Sequence, residues 1–260
     1  MTPSTTAAEK SGLAAKIGRA AGAAAFWAAV WMFASYRVGQ PLILPSPAEV
    51  LRELVELGGT AAFWQSAGQS LLNVFIGFSA GVAAGSAAAF LTAFVAAADT
   101  VLSPALRVIR ATPVASFIIL ALLWLGKSGV PAFASALMVT PVIWQAGRAA
   151  LRETDRQLLE MARIYRFGRF KTLRLVYIPS VRAQWSAACA TGMGLAWKSG
   201  IAAEVICQVR PTIGNELYSS KIYLETPALF AWTAVVICLS MVLENVLARL
   251  FTKKRGRQRA

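Results

Sequence analysis

The sequence predicts an all-α polytopic membrane protein with six transmembrane helices and one patterned loop on the basic side of the membrane. Three observations carry that reading. Of 260 residues, 57% are hydrophobic and 15% charged, and the mean hydropathy is +0.57, too apolar for a chain whose surface must be largely polar. Apolar runs near the roughly 20 residues that cross a bilayer recur along the chain. The 26 Lys and Arg, against 12 Asp and Glu, gather between and beyond those runs.

The first run, Ala20 to Tyr36, follows Lys10, Lys16 and Arg19. A basic flank and short apolar run also fit a secretory signal peptide. Arg37 and Gln40 follow without a small-residue cleavage site, so the expectation is a retained first helix behind a cytoplasmic tail, residues 1–19. Pro41, Pro45 and Pro47 end that helix. Ser46 caps a short amphipathic piece, Ala48 to Leu57, with Val50, Leu51, Leu54 and Leu57 on one face.

Ser70 to Ala98 carries no charge and forms the second helix. Its Gly77, Gly81 and Gly85, at four-residue spacing, make a stripe on which another helix approaches closely. Residues 104–126 give a third helix that begins near Pro104, bears Arg107 and Arg110 at its inner end and contains Pro113. Gly129 to Gly147 gives a fourth, Ala183 to about Ile206 a fifth, and Pro227 to Leu250 a sixth. The membrane-spanning domain is thus 20–250, followed by a basic tail, 251–260, that anchors to lipid headgroups. With the N-terminus inside, 20 of the 26 basic residues lie on the cytoplasmic side, as the positive-inside rule requires. Both termini are then cytoplasmic.

Composition also excludes functions. A formal charge of +14 would suit nucleic acid in a soluble chain, but here it follows from loop retention. The absence of histidine removes the commonest general base and zinc ligand, and Cys189, Cys207 and Cys238 are too scattered for a metal or disulfide framework. No catalytic residue, metal site or resident cofactor is expected. Gly192 to Ser199 has the outline of a Walker A loop, but Trp197 stands where its second glycine is required and no strand precedes it.

The informative segment is the loop at about 151–179. Asp155 caps a helix reading RQLLEMARIY, with Leu158, Met161, Ala162 and Tyr165 on one face. Gly168 caps a second, RFKTLRLVY, that ends at Pro179. On amphipathicity alone, a helix pair resting on the bilayer and a docking surface for a soluble partner stand level. The order Glu160-Met161-Ala162, three residues, Arg166, nine residues, Val176-Tyr177-Ile178-Pro179 resembles the E-A-A, three residues, G, nine residues, I-x-L-P signature of bacterial ABC importer permeases. Met161 and Arg166 depart from it. Arg166 replaces a glycine whose turn uses positive φ, and Gly168 is near enough to take that turn over. RATPVASFIILALLWLG (110–126), AWKSGIAAEVI (196–206) and KIYLETPALFAWT (221–233) resemble the nitrate, sulfonate and taurine subgroup.

That resemblance implies an inner-membrane permease, paired with a second copy, with two ATP-binding subunits inside and an extracytoplasmic substrate-binding protein outside. ATP and Mg would belong to the ATPase, not to this chain. Leu158, Glu160, Met161, Ala162, Tyr165, Arg166, Gly168 and Pro179 would form the ATPase-coupling loop. Lys198, inside the fifth helix, is a candidate for the path of an anionic solute such as a sulfonate, taurine or nitrate, because a charge there costs about 2.5 to 3.5 kcal/mol unless it faces a cavity or partner. Glu204, six residues on, falls on another face. Asn73, Gln69, Trp144 and Gln145 are further path candidates, or interhelical hydrogen-bonding groups. A self-contained secondary transporter or channel is the competing reading; it needs more intramembrane acids than Glu204 and Glu244 supply.

Overall fold

A computed structural model describes the backbone of residues 5–256 and side chains over 22–249. Among the described residues the regular structure is all helical: α1 Thr5–Val38, α2 Pro47–Gly58, α3 Ala61–Phe94, α4 Ala96–Ala111, α5 Val114–Arg152, α6 Arg156–Ile164, α7 Arg169–Thr172, a π-helical turn Leu173–Tyr177, α8 Ile178–Cys207, α9 Ile213–Ile222 and α10 Thr226–Gly256. Long apolar runs with few charges favour this, since in lipid every backbone polar group must be satisfied by the protein, and a helix does so within its own segment. Among the described residues, three helices are long and apolar enough to cross a membrane: α3, α5 and Thr226–Arg249 of α10. The basic side chains of the 1–19 and 251–260 tails lie outside the described residues.

The chain forms two units. In the first, residues 1–60 with 219–233, the proline-rich link after α1 is held by side chains. Trp31 Nε1 donates to Pro45 O at 3.0 Å, Ser35 Oγ to Leu44 O at 3.0 Å and Thr226 Oγ1 to Leu42 O at 2.7 Å. Ser46 caps α2 as expected, in a reciprocal box with Glu49. The apolar face of α2 is narrower than the sequence suggests, because Val50 is buried while Leu51 is 62% exposed.

The second unit, 61–218 with 234–260, holds the bundle. The glycine stripe of α3 lies on α5: a Cβ at Gly77 would meet Ala132 and Ser135, one at Gly81 would meet Ala136 and Val139, and one at Gly85 would meet Thr140 and Ile143. Residue numbers rise together, so α3 and this part of α5 run parallel. α8 runs against both. Ser135 Oγ donates to Ala196 O at 2.9 Å, and Trp185 Nε1 donates to Ser86 Oγ at 3.0 Å. α10 is antiparallel to α8, with Trp197 Nε1 donating to Val236 O at 3.0 Å.

The expected third helix, 104–126, is corrected. Pro104 lies inside α4, and the chain breaks at Thr112-Pro113, where Thr112 is extended (φ −84°, ψ 136°). A residue before proline is driven out of the α region, and proline cannot donate the next helical bond. Thr112 Oγ1 donates to Val108 O at 2.8 Å, a carbonyl that the Thr112 N–H also reaches. α5 then starts at Val114 and is reversed at Gly126 (φ 65°, ψ 169°), a backbone state open to glycine. Its two arms meet in an apolar cluster where Ile118 and Ala121 pack with Val130, Ala134, Ala203 and Cys207. The first arm is only about 18 Å long at 1.5 Å per residue, short of the roughly 30 Å hydrocarbon layer. α9 was not anticipated from sequence.

Candidate functional site

The loop after α5 carries the sequence motif, and local chemistry shapes it. Asp155 Oδ1 accepts from Gln157 N at 2.8 Å, capping α6 as expected. α6 ends in a Schellman turn, with Phe167 N donating to Ala162 O at 2.8 Å and Arg166 N to Arg163 O at 3.0 Å. The residue at the left-handed position is Arg166, φ 51°, where the motif has glycine. Gly168 does not take the turn over. It caps α7 in an extended conformation, φ −65° and ψ 159°. The non-glycine turn costs on the order of 1–2 kcal/mol, offset by the two carbonyls it satisfies.

α6 has two faces. Leu158 and Met161 are each 40% exposed, Ile164 79% and Tyr165 69%, so this chain leaves a row of apolar side chains uncovered. Ala162 turns the other way and is buried, apart from Leu158, Met161 and Tyr165, with which the sequence put it on one face. Glu160 is exposed and has no hydrogen-bond or ion-pair partner among the described residues. Val176 is buried, and Pro179 is exposed in the first turn of α8, where a missing N–H is tolerated.

Beside the loop, Asp99 at the start of α4 holds the end of α5. Arg148 reaches it at 2.6 Å and Arg152 at 3.1 Å, and Ser103 Oγ donates to it. The Ser103 hydroxyl draws the Asp99 carboxyl below its ordinary range, with Arg148 and Arg152 adding to this and burial opposing it. Arg148 also stacks on Trp144, 5.5 Å from the ring centroid, and Arg110 donates to Gln145 Oε1.

A second polar centre lies toward the other end of α8. Glu204 is fully buried and accepts from Ser70 Oγ at 2.6 Å, Asn73 Nδ2 at 3.0 Å and Gly214 N at 3.3 Å. Ser70 Oγ accepts in turn from Ile213 N at 2.9 Å, and Gln69 Nε2 donates to Asn73 Oδ1 at 3.0 Å. The cluster ties α3, α8 and the start of α9 together. Its trace in the sequence is the pair Ser70 and Asn73, three residues apart on one face of an apolar helix. No group of acids, cysteines or histidines among the described residues is placed to hold a metal.

The helical order, the loop and its spacing invite comparison with known proteins. The family model described as "Binding-protein-dependent transport system inner membrane component" matches residues 81–256. The chain belongs to this family. It is therefore a transport permease, and the family is not one of enzymes. It is 24% identical over 221 residues to the taurine transport system permease protein TauC of Escherichia coli (strain K12), covering 82% of this chain and 80% of that one. A permease named for aliphatic sulfonates transport in the same organism, SsuC, is 29% identical, with 85% and 82% covered. The riboflavin transport system permease protein RibX of Chloroflexus aurantiacus is 28% identical, with 88% and 85% covered. Among solved structures, one described as an amino acid ABC transporter with histidines superposes with a TM-score of 0.62 at 19% identity, covering 78% of this chain and 97% of that one. That likeness is one of fold.

Within the permease the path candidates divide. Asn73 and Gln69 belong to the Glu204 cluster, and Trp144 is buried with its Nε1 donating to Thr92 Oγ1 at 2.9 Å. Each of the three is held in a hydrogen bond inside the bundle. Lys198 is exposed on α8 alongside Leu195 and Thr191 and makes no hydrogen bond or ion pair among the described residues. It does not reach Glu204, in keeping with their separate helical faces.

Proposed function

We propose that this permease forms half of an importer pore, pairs with a second copy of itself, and is driven by two ATP-binding subunits docked on α6. The observation that supports the reading most directly is the uncovered row Leu158, Met161, Ile164 and Tyr165 on a capped helix at the basic end of the bundle. An apolar row of this kind is what a soluble partner's groove covers. The basic end is the cytoplasmic one by the distribution of Lys and Arg. ATP and Mg belong to the partner, and an extracytoplasmic binding protein delivers solute to the opposite end.

Coupling then works by differential contact. Closure of the ATPase dimer moves the two α6 helices, and the bundles they are joined to turn between inward and outward states. Asp99, Arg148 and Arg152 brace α4 against the end of α5 from which the loop departs. They keep a displacement of α6 from dissipating in that joint. Co-purification with the ATPase in nanodiscs tests the dock. The wild type should hold a 2:2 complex that Leu158→Asp with Met161→Asp disperses, while the size-exclusion profile of the permease alone stays unchanged. Full retention by the double variant would remove α6 as the dock.

The solute is a small anion of the sulfonate, taurine or nitrate type, as the subgroup resemblance and the taurine and sulfonate relatives suggest. Lys198 faces that path as its attracting charge. Lys198→Gln should lower anion uptake into ATP-loaded proteoliposomes roughly tenfold, the equivalent of about 1.4 kcal/mol, with the 2:2 complex intact. Uptake at the wild-type rate would reduce Lys198 to a side chain that snorkels to the interface.

A further inference from the structure

Two cavities at the basic end share a wall. The larger, about 770 Å³, lies between the tip of α3 and the inward side of the α6–α7 loop. The smaller, about 410 Å³, continues between α3, α5 and the start of α8. Phe90, Leu173 and Tyr177 line both. Each volume is within the range of a small-molecule site. The pair is polarised. The smaller arm is walled mainly by apolar groups such as Ala89, Gly147 and Val181, with Arg182 also on its wall, and Trp185, bonded to Ser86, borders it. The mouth carries Arg163 and Arg169, and no acidic side chain lines either cavity.

We propose that this trench binds one phospholipid with an anionic headgroup, its acyl chain in the smaller, mainly apolar arm and its phosphate between Arg163 and Arg169. Neither arginine has an ion-pair partner among the described residues, and guanidinium groups bind phosphate bidentately. Phe94 and Tyr177, ring centroids 5.2 Å apart, together with Phe167 and Phe170, ring the mouth with aromatic side chains, which favour the headgroup level of a bilayer. A free polar anion would not use the apolar arm. A second copy of the same basic loop would set cations against cations. The ATPase is placed elsewhere, since Leu158, Met161 and Tyr165 point away from the cavity that Leu159, Ala162 and Arg163 line.

The site therefore stands whether or not α6 docks an ATPase, and its test is direct binding. The full chain, purified from membranes and delipidated, is given phosphatidylglycerol or phosphatidylcholine of identical acyl chains and weighed by native mass spectrometry. The wild type should retain phosphatidylglycerol with a preference of roughly tenfold or more. Arg163→Ala with Arg169→Ala should bring the two lipids to parity, and Arg163→Lys with Arg169→Lys should keep a preference. Val181→Trp, which fills the smaller arm, should lower retention of both. Equal retention by the wild type, or an undiminished preference in the double alanine variant, would overturn the proposal. Thermal unfolding of each variant separates loss of lipid from loss of fold.

Discussion

Gly81→Leu should abolish the folded permease, measured as loss of the monodisperse peak in detergent and of a cooperative thermal transition. At Gly81 even a methyl group would stand 2.7 Å from the carbonyl oxygen of Ala136 and 2.8 Å from Val139 Cβ. Neither atom is the free end of a flexible side chain, so α3 and α5 must separate to admit it. Gly77 and Gly85 meet α5 one turn to either side in the same register, and a local separation therefore lifts both. Overpacking a well-filled core costs about 1–3 kcal/mol where neighbours can shift, and here the obstacle is backbone. Association inside a membrane depends on such packing, since lipid is as apolar as the side chains. Gly81→Ala should show a smaller loss of the same kind. Gly68→Leu, with nothing within 4 Å of its Cβ position, should melt as wild type does. A Gly81→Leu protein that melts with the wild type would mean that the stripe does not make this contact.

The contrast between Gly81 and Arg166 shows what was legible in the sequence. The glycine stripe, the apolar runs behind α3, α8 and α10, and the caps Ser46, Asp155 and Gly168 are local: each follows from spacing or from one side chain beside its own backbone. The Schellman turn was legible as a position but not as a residue, because an arginine takes the left-handed state when two backbone bonds hold it there. Pro113 was read as a passenger in a longer helix, and its break also leaves the apolar arm after it too short to cross alone. α9 is ten residues of mixed polarity with neither an apolar run nor a clean face to announce it. Ala162 was grouped with Leu158, Met161 and Tyr165 because a helical wheel gives neighbours on the helix, not the side on which the bundle lies.

The Glu204 cluster was beyond such reading for a different reason: its partner Ser70 is 134 positions away in sequence. Glu204→Ala should cost about 3 kcal/mol or more, because it leaves the Ser70 hydroxyl, the Asn73 amide and the Gly214 N–H buried without their acceptor, at roughly 1–3 kcal/mol for each group left unmet. Ser70 recovers part of this by turning its hydroxyl to a backbone carbonyl within its own helix. Glu204→Gln retains one acceptor oxygen and sets its amide toward donors, so it should fall between alanine and wild type. The loss should also be uneven. Hydrogen exchange at 212–216, the segment whose Ile213 and Gly214 amides face this cluster, should rise before exchange in α6 changes. Gly214 adds steric precision: a Cβ there would enter the space of Glu204 and stand 2.7 Å from Val205 N, so Gly214→Ala should loosen the same segment with every polar group still present. Protection lost uniformly across the bundle in both variants would make Glu204 a general support of the fold. Loss confined to 212–216 makes it the clasp that holds the start of α9 to α3, at the end of α8 opposite the α6–α7 loop.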